Sequence, residues 1–184
     1  MKSDLYDLIV NRFSSTRFLE KDICDEDIAK IIKACESAND HGNLRAWEMR
    51  IFSKNTKDIL LNLLIKDINE RNGTDIEIEK VKRNVSKSPL ILCISSKILQ
   101  SKISRKDQIY AVAAVCQIIT LTSYALGLAS IWKTGKFSDS NIVKKGLDIS
   151  QDDEIVGFIY IGYTSDFFKK TRKVSIEGKV FTYD

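Results

Sequence analysis

From Gln108 to Trp132 the chain reads QIYAVAAVCQIITLTSYALGLASIW without one charged residue, although 29% of all residues are charged. At helical period, Ile109, Val112, Ala113, Cys116, Ile119, Thr120 and Ser123 form one face. Tyr110, Ala114, Gln117, Ile118, Leu121 and Ala125 form the other. Both faces are largely apolar, which predicts a helix buried all round and not an amphipathic surface helix. Gly127 suits the residue just past its C-terminus. The length also reaches the roughly 20 residues of a membrane span. Gln108, Gln117, Thr120, Thr122 and Ser123 dilute the apolarity, however, and the basic flanks (Arg105 and Lys106, Lys133 and Lys136) show no asymmetry. The pattern therefore predicts a central core helix and no membrane insertion. A chain of 184 residues has little material to cover such a helix on every side. A second subunit would supply the missing cover.

Other elements follow from the same periodicities. Leu5, Leu8 and Ile9 predict a first helix capped by Ser3. Ile28, Ile31, Ile32 and Cys35 predict a second, capped by Asp25. A loop of turn formers runs from Ser37 to Ala46, then Trp47 to Phe52 alternates as a strand. Thr56 opens a third helix carrying Ile59, Leu60, Leu63 and Leu64, and a charged helix spans Asp75 to Asn84. Leu90 to Ile94 is a continuous apolar run of the kind found in central strands. Leu128 to Trp132, Glu154 to Tyr163 and Lys179 to Tyr183 read as further strands, with a short helix from Ser138 through Val143. Helices alternating with strands predict one α+β or three-layer α/β/α domain over residues 1–184.

Composition narrows the functional classes. At 43% hydrophobic the chain can build a sizeable core, and a net charge of +4 hints at an anionic ligand without indicating nucleic acid. Cys24, Cys35, Cys93 and Cys116 lack CxxC spacing and read as reduced, buried residues of a cytoplasmic protein. His41 is the only histidine, so neither a Ser-His-Asp set nor a usual zinc site can be assembled. No GxGxxG or GxxxxGK occurs. What remains is a set of cations and hydroxyls at element ends: Arg12, Ser14, Arg17, Lys133, Thr134 and Arg172. Such groups suit phosphate or an anionic heterocycle. They also read as solvated surface charges, the reading that spacing alone favours.

Three segments resemble the nitroreductase family of FMN-dependent oxidoreductases. Asn11 to Phe18, NRFSSTRF, is similar to its opening Arg-x-Ser-x-Arg-x-Phe-type motif with one extra residue before the second arginine. Ala34 to Phe52, ACESANDHGNLRAWEMRIF, resembles its helix, loop, tryptophan and strand. Ala113 to Gly135 and the strand DEIVGFIYIG from Asp153 resemble its core helix, Gly-x-x-x-Trp turn and late strand. The Asp-His pair and IWKTG resemble the short, single-domain NAD(P)H nitroreductase branch.

The resemblance implies an α/β/α sandwich with a mostly antiparallel sheet around the core helix. It implies a homodimer with FMN at the subunit interface, NAD(P)H as co-substrate, and a nitroaromatic or quinone-like acceptor. Carried over, Arg12, Phe13 and Ser14 contact the cofactor, Ser37 and His41 approach it from the first loop, and Trp132, Lys133 and Thr134 come from the other subunit's side. No side chain is assigned an obligatory catalytic role, and no metal is expected. The family often has Gln-Pro before the loop tryptophan, where this chain has Arg45 and Ala46. That departure favours the alternative of a non-catalytic flavin-binding or redox-sensing protein.

Overall fold

The computed structural model describes residues 2–166 and 175–183, with side chains from Leu5 onward. Helix α1 (Lys2–Asn11) contains Ser3 within it and leads along the first segment to α2 (Asp25–Ala34). Cys24, not Asp25, occupies the N-cap position of α2. Asp25, Glu26 and Asp27 instead fill its first turn, with Lys33 in the last, matching the helix dipole at both ends. Strand β1 (Trp47–Ser53) then leads to α3 (Lys57–Glu70) and α4 (Asp75–Ser86). Strand β2 (Leu90–Ser96), α5 (Arg105–Ala125), β3 (Ala129–Lys133), α6 (Asn141–Gly146) and β4 (Ile155–Gly162) complete the order.

The strands form one sheet, ordered β1-β2-β4-β3, with every pairing antiparallel. Successive side chains on a strand point to opposite faces. Leu90, Leu92 and Ile94 of β2 and Ile159 and Ile161 of β4 therefore share a core with α2 and α5. Ile91 and Cys93 of β2 and Phe158 and Tyr160 of β4 share the other with α3, α4 and α6. All seven residues of β2 are buried. A strand covered on both faces reads as a continuous apolar run, which is how Leu90 to Ile94 appears in the sequence. The expected three-layer α/β/α architecture is present.

Three expectations need correction. Helix α5 is not buried all round: Val112, Val115, Cys116, Ile119 and Ser123 are enclosed, whereas Tyr110, Gln117 and Ala125 are exposed and Ala114, Ile118 and Leu121 only half-buried. The helix lies on one face of the sheet, so its outward stripe has little above it. The short helix starts at Asn141, because the Ser140 hydroxyl, not that of Ser138, accepts the Val143 amide at 3.1 Å. Lys179 to Tyr183 is irregular and exposed, since among the described residues no strand pairs with it. The basic stretch Lys169 to Lys173, including Arg172, lies outside the described residues.

Cys35, Cys93 and Cys116 are buried as expected, but Cys24, at the N-cap of α2, is exposed. Burial pushes the Cys93 and Cys116 thiols up to about 12 and that of Cys35 to about 11, so they serve as small apolar core residues.

Strand β3 is locked to β4 by one close approach. The Trp132 indole N–H donates to the Val156 carbonyl at 3.0 Å. A Cβ at Gly157 would collide with that indole nitrogen and its neighbouring ring carbon. Gly157→Ala should therefore displace Trp132 and cost about 1–3 kcal/mol by overpacking. Urea denaturation followed by tryptophan fluorescence checks this; an unchanged midpoint would mean that the indole moves aside freely.

Candidate functional site

Alternation along β3 divides its side chains between the two layers. Ser130 and Trp132 face α5, while Ile131 and Lys133 face α3 and α4. On α4 the buried Val81 and Val85 anchor the helix, and this brings Lys80 and Asn84, one turn apart, to the same opening. Arg71 arrives from the end of α3, and Thr134, Lys136 and Phe137 from the segment after β3. Phe158 and Tyr160 form the floor. Together these residues line a cleft of about 310 Å³, at the lower end of the range for small-molecule sites.

The cleft is cationic with aromatic walls. Arg71, Lys80, Lys133 and Lys136 line it, against a single carboxylate among the described residues, Glu77. The Lys133 ammonium stands 4.4 Å from the centre of the Tyr160 ring. Burial, followed by repulsion from Lys80, holds Lys133 below the usual lysine range. Burial pushes the Tyr160 phenol up to about 12, so it remains neutral over a wide pH range. Glu77 is held below the ordinary carboxylate range, chiefly by its hydrogen bond from Arg71. Among the described residues, no cluster of three or more His, Cys, Asp or Glu side chains gathers to hold a metal.

The opening segment lies on the free edge of the same strand. Ser14 bridges Ser130 in parallel, and the Ser15 amide donates to the Ser130 carbonyl at 3.2 Å. The Arg12 guanidinium reaches the Ser14 hydroxyl at 3.5 Å, and Phe13 meets Tyr124 edge-on with centroids 6.0 Å apart. Arg17 has a structural partner in Asp166 at 4.0 Å. Arg12, Phe13 and Ser14 are thus brought to the strand that carries Lys133 and leads into Thr134.

Ser37 and His41 are not brought there. The Ser37 hydroxyl donates to the Ala34 carbonyl at 2.7 Å, ending α2. His41 Nδ1 lies 4.0 Å from Asp107 in the first turn of α5. Phe13, by contrast, meets Tyr124 in the last turn, and Asp107 and Tyr124 are separated by about 25 Å of helix. The loop holding Ser37 and His41 leads into β1, and β1 and β3 are opposite edges of the sheet. Within one chain the residues expected in the site form two groups at opposite ends. Trp132 is divided from its neighbours in a different way: its side chain packs towards α5, while Lys133 and Thr134 line the cleft.

Sequence reading missed Arg71, Lys80, Asn84, Phe137 and Tyr160. The available signal was on α4, where a lysine and an asparagine four residues apart flank the apolar Val81 and Val85.

Comparison with known proteins adds four findings. The nitroreductase family model matches residues 9–163. The Escherichia coli K12 protein named "Putative NAD(P)H nitroreductase YdjA" is 24% identical over 160 residues, spanning 86% of this chain and 87% of its own. Among solved structures, the nitroreductase-like family protein from Bacillus cereus superposes with a TM-score of 0.87 at 18% identity, covering 98% of this chain and 96% of that one. The FMN-dependent nitroreductase NfnB from Mycobacterium smegmatis, solved in complex with NADPH, gives 0.78 at 13% identity over the full length of both chains. The likeness to the two solved structures is one of fold.

A desolvated lysine facing other cations works against the unliganded fold. The folded-state pKa of Lys133 is depressed, so its charge penalises folding fully below that pKa. The penalty is relieved as pH rises towards the unfolded value of 10.5. Lys133→Met should therefore stabilise the ligand-free protein at pH 7 by about 0.5–1 kcal/mol. The gain should shrink as pH approaches 10.5. Denaturation curves across that range check the sign; a loss at neutral pH would show that the Tyr160 contact outweighs the desolvation.

Proposed function

The chain belongs to the nitroreductase family, and from that premise we propose that it is an FMN-dependent oxidoreductase passing hydride from NAD(P)H to a nitroaromatic or quinone-like acceptor. The observation that carries this reading is the cationic, aromatic-walled cleft beside β3. A flavin is a flat aromatic group with an electron-rich pyrimidine end and a phosphate tail. The residues present suit it. Phe137, Phe158 and Tyr160 offer apolar surface, Asn84 and Thr134 offer hydrogen bonds, and Lys80 and Lys133 offer charge-assisted ones. When bound, FMN supplies reversible hydride acceptance; the protein orients it and tunes it electrostatically.

Lys133 matters most in this account. Its charge is partly withdrawn from water, so it acts on a ligand's negative charge with less screening than a surface lysine would. Arg12 and Ser14, on the adjoining strand edge, are assigned to the cofactor's polar tail. The Tyr160 phenol stays protonated and is assigned to the wall, not to proton transfer.

Ser37 and His41 reach the same site only from a second copy of the chain. The homodimer with the cofactor at its interface is supported by the outward stripe of α5 and by Leu5, Tyr6, Ile9 and Val10 of α1, all exposed in the single chain. Light scattering at low micromolar concentration should give twice the chain mass. A stable monomer would remove Ser37 and His41 from the site.

The second reading, a flavin-binding protein without turnover, is favoured by Arg45 and Ala46. Arg45 sits at φ 50 with its amide bonded to Asp40, so the departure from Gln-Pro falls in a tightly turned part of the loop. One measurement separates the two readings. The purified protein should be yellow, bleach anaerobically with NADH or NADPH, and recover colour on adding a nitroaromatic or quinone. Colour without bleaching would select the binding protein. Lys133→Met should weaken FMN binding by about 1.5–3 kcal/mol, and fluorescence titration showing unchanged affinity would remove Lys133 from the cofactor site.

A further inference from the structure

The segment Thr74-Asp75-Ile76-Glu77 carries the signature of a helix capping box, in which the glutamate turns back to the N-cap amide. Half of it forms: the Thr74 hydroxyl accepts the Glu77 amide at 3.3 Å. The carboxylate goes elsewhere. Its Oε2 accepts from Arg71 Nη1 at 3.0 Å and its Oε1 from Lys136 Nζ at 3.5 Å, so that it spans the cleft mouth from α3 to the segment after β3.

Two glycines accommodate this placement. A Cβ on Gly73 would stand 2.6 Å from Glu77 Oε2, so a larger residue there would drive the carboxylate from its position. Gly135, at φ 112 with nothing within 4 Å of a would-be Cβ, starts the segment that carries Lys136 and Phe137. Arg71 is fastened further by Asp67 at 3.0 Å and lies 5.7 Å over the Phe137 ring. The rim of the cleft is therefore neutralised by Asp67 and Glu77. No carboxylate bonds Lys80 or Lys133 among the described residues.

We propose that Glu77 is the specificity-determining residue of the cleft mouth: it occupies the rim cations Arg71 and Lys136, so an anionic aromatic acceptor has to displace it and a neutral one is favoured. This rests on the reading of the cleft as an oxidoreductase site. Neutral nitroarenes and quinones meet no competing charge there. A carboxylated nitroarene has to break two ion pairs before it can use either cation.

The test compares 4-nitrobenzamide with 4-nitrobenzoate, similar in shape and different in charge, by calorimetric titration of the protein as purified. Glu77→Gln should shift the ratio of affinities towards the benzoate by about three- to tenfold, the size of one or two exposed ion pairs. The shift should shrink at high salt. Lys136→Met removes a rim cation while Glu77 stays on Arg71, and should shift the ratio the opposite way. Glu79→Gln on the same helix, where Glu79 pairs among the described residues only with Lys82, at 2.8 Å, should leave the ratio at its wild-type value. A variant that merely loosens the mouth would change both ligands alike. The proposal is overturned by an unchanged ratio in Glu77→Gln, by shifts of the same sign in both mouth variants, or by binding of neither probe. NADPH oxidation with 4-nitrobenzamide is read separately on the wild type. Its absence would remove the reductase reading, while the binding ratio would still decide the role of Glu77.

Discussion

A strand covered on both faces has no idle side chain, and the two-residue alternation of β2, β4 and β3 is the constraint on which the rest of this structure depends. Leu90, Leu92 and Ile94 meet α2 and α5 while Ile91 and Cys93 meet α3 and α4, so the two helical layers are fixed by a single parity. The same parity separates Trp132 from Lys133. The tryptophan is committed to packing beside Gly157, and the lysine is delivered to the cleft as a direct consequence. A one-residue slip would send the cation into the α5 layer and open the cleft wall. Strand registry and site chemistry are thus one requirement.

The helical layers do not finish what the sheet begins. Helix α5 encloses one stripe and leaves Ile118 and Leu121 half-covered, and its exposed Tyr110 lies beneath the Lys106 ammonium at 5.5 Å. Exposed aliphatic and aromatic residues recur on α1 and in the terminal segment at Val180, Phe181 and Tyr183. Scattered apolar residues are ordinary on a surface. Here they coincide with a second incompleteness, the distance between His41 at one end of α5 and Phe13 at the other. In the proposed homodimer a second copy of the chain would cover the packing deficit and reunite the divided residues.

Legibility in the sequence followed the range of the interactions. Elements set by local period were readable: α5, β2 and β4 fall within a few residues of their expected limits. The terminal strand failed because a strand needs a partner, and the pattern of Lys179 to Tyr183 says nothing about whether one is present. The candidate cleft was half-legible for the same reason. Arg12, Ser14, Lys133 and Thr134 sit at element ends, where cations and hydroxyls attract notice. Lys80 and Asn84 sit inside a charged helix, among Glu79, Lys82 and Arg83, and nothing local distinguishes a cleft lysine from a solvated one. Only the tertiary packing of Val81 and Val85 selects them. Glu77 was hidden more deeply, because its sequence context announces a different role.

The cleft's charge also bears on why it exists at all. With a net charge of only +4 spread over 184 residues, placing Arg71, Lys80, Lys133 and Lys136 around one 310 Å³ opening concentrates repulsion that the fold does not otherwise need. Asp67 and Glu77 relieve it at the rim, and Tyr160 receives the Lys133 ammonium on its ring face, a contact worth about 0.5–2 kcal/mol. Neither removes the desolvation that lowers the Lys133 pKa. Cores selected for stability alone replace such a residue with an apolar one, because burying a charge without a paired counter-charge costs more than its contacts return. Under the proposed function the counter-charge arrives from outside the chain, on a ligand negatively charged and flat enough to lie against Phe137 and Tyr160.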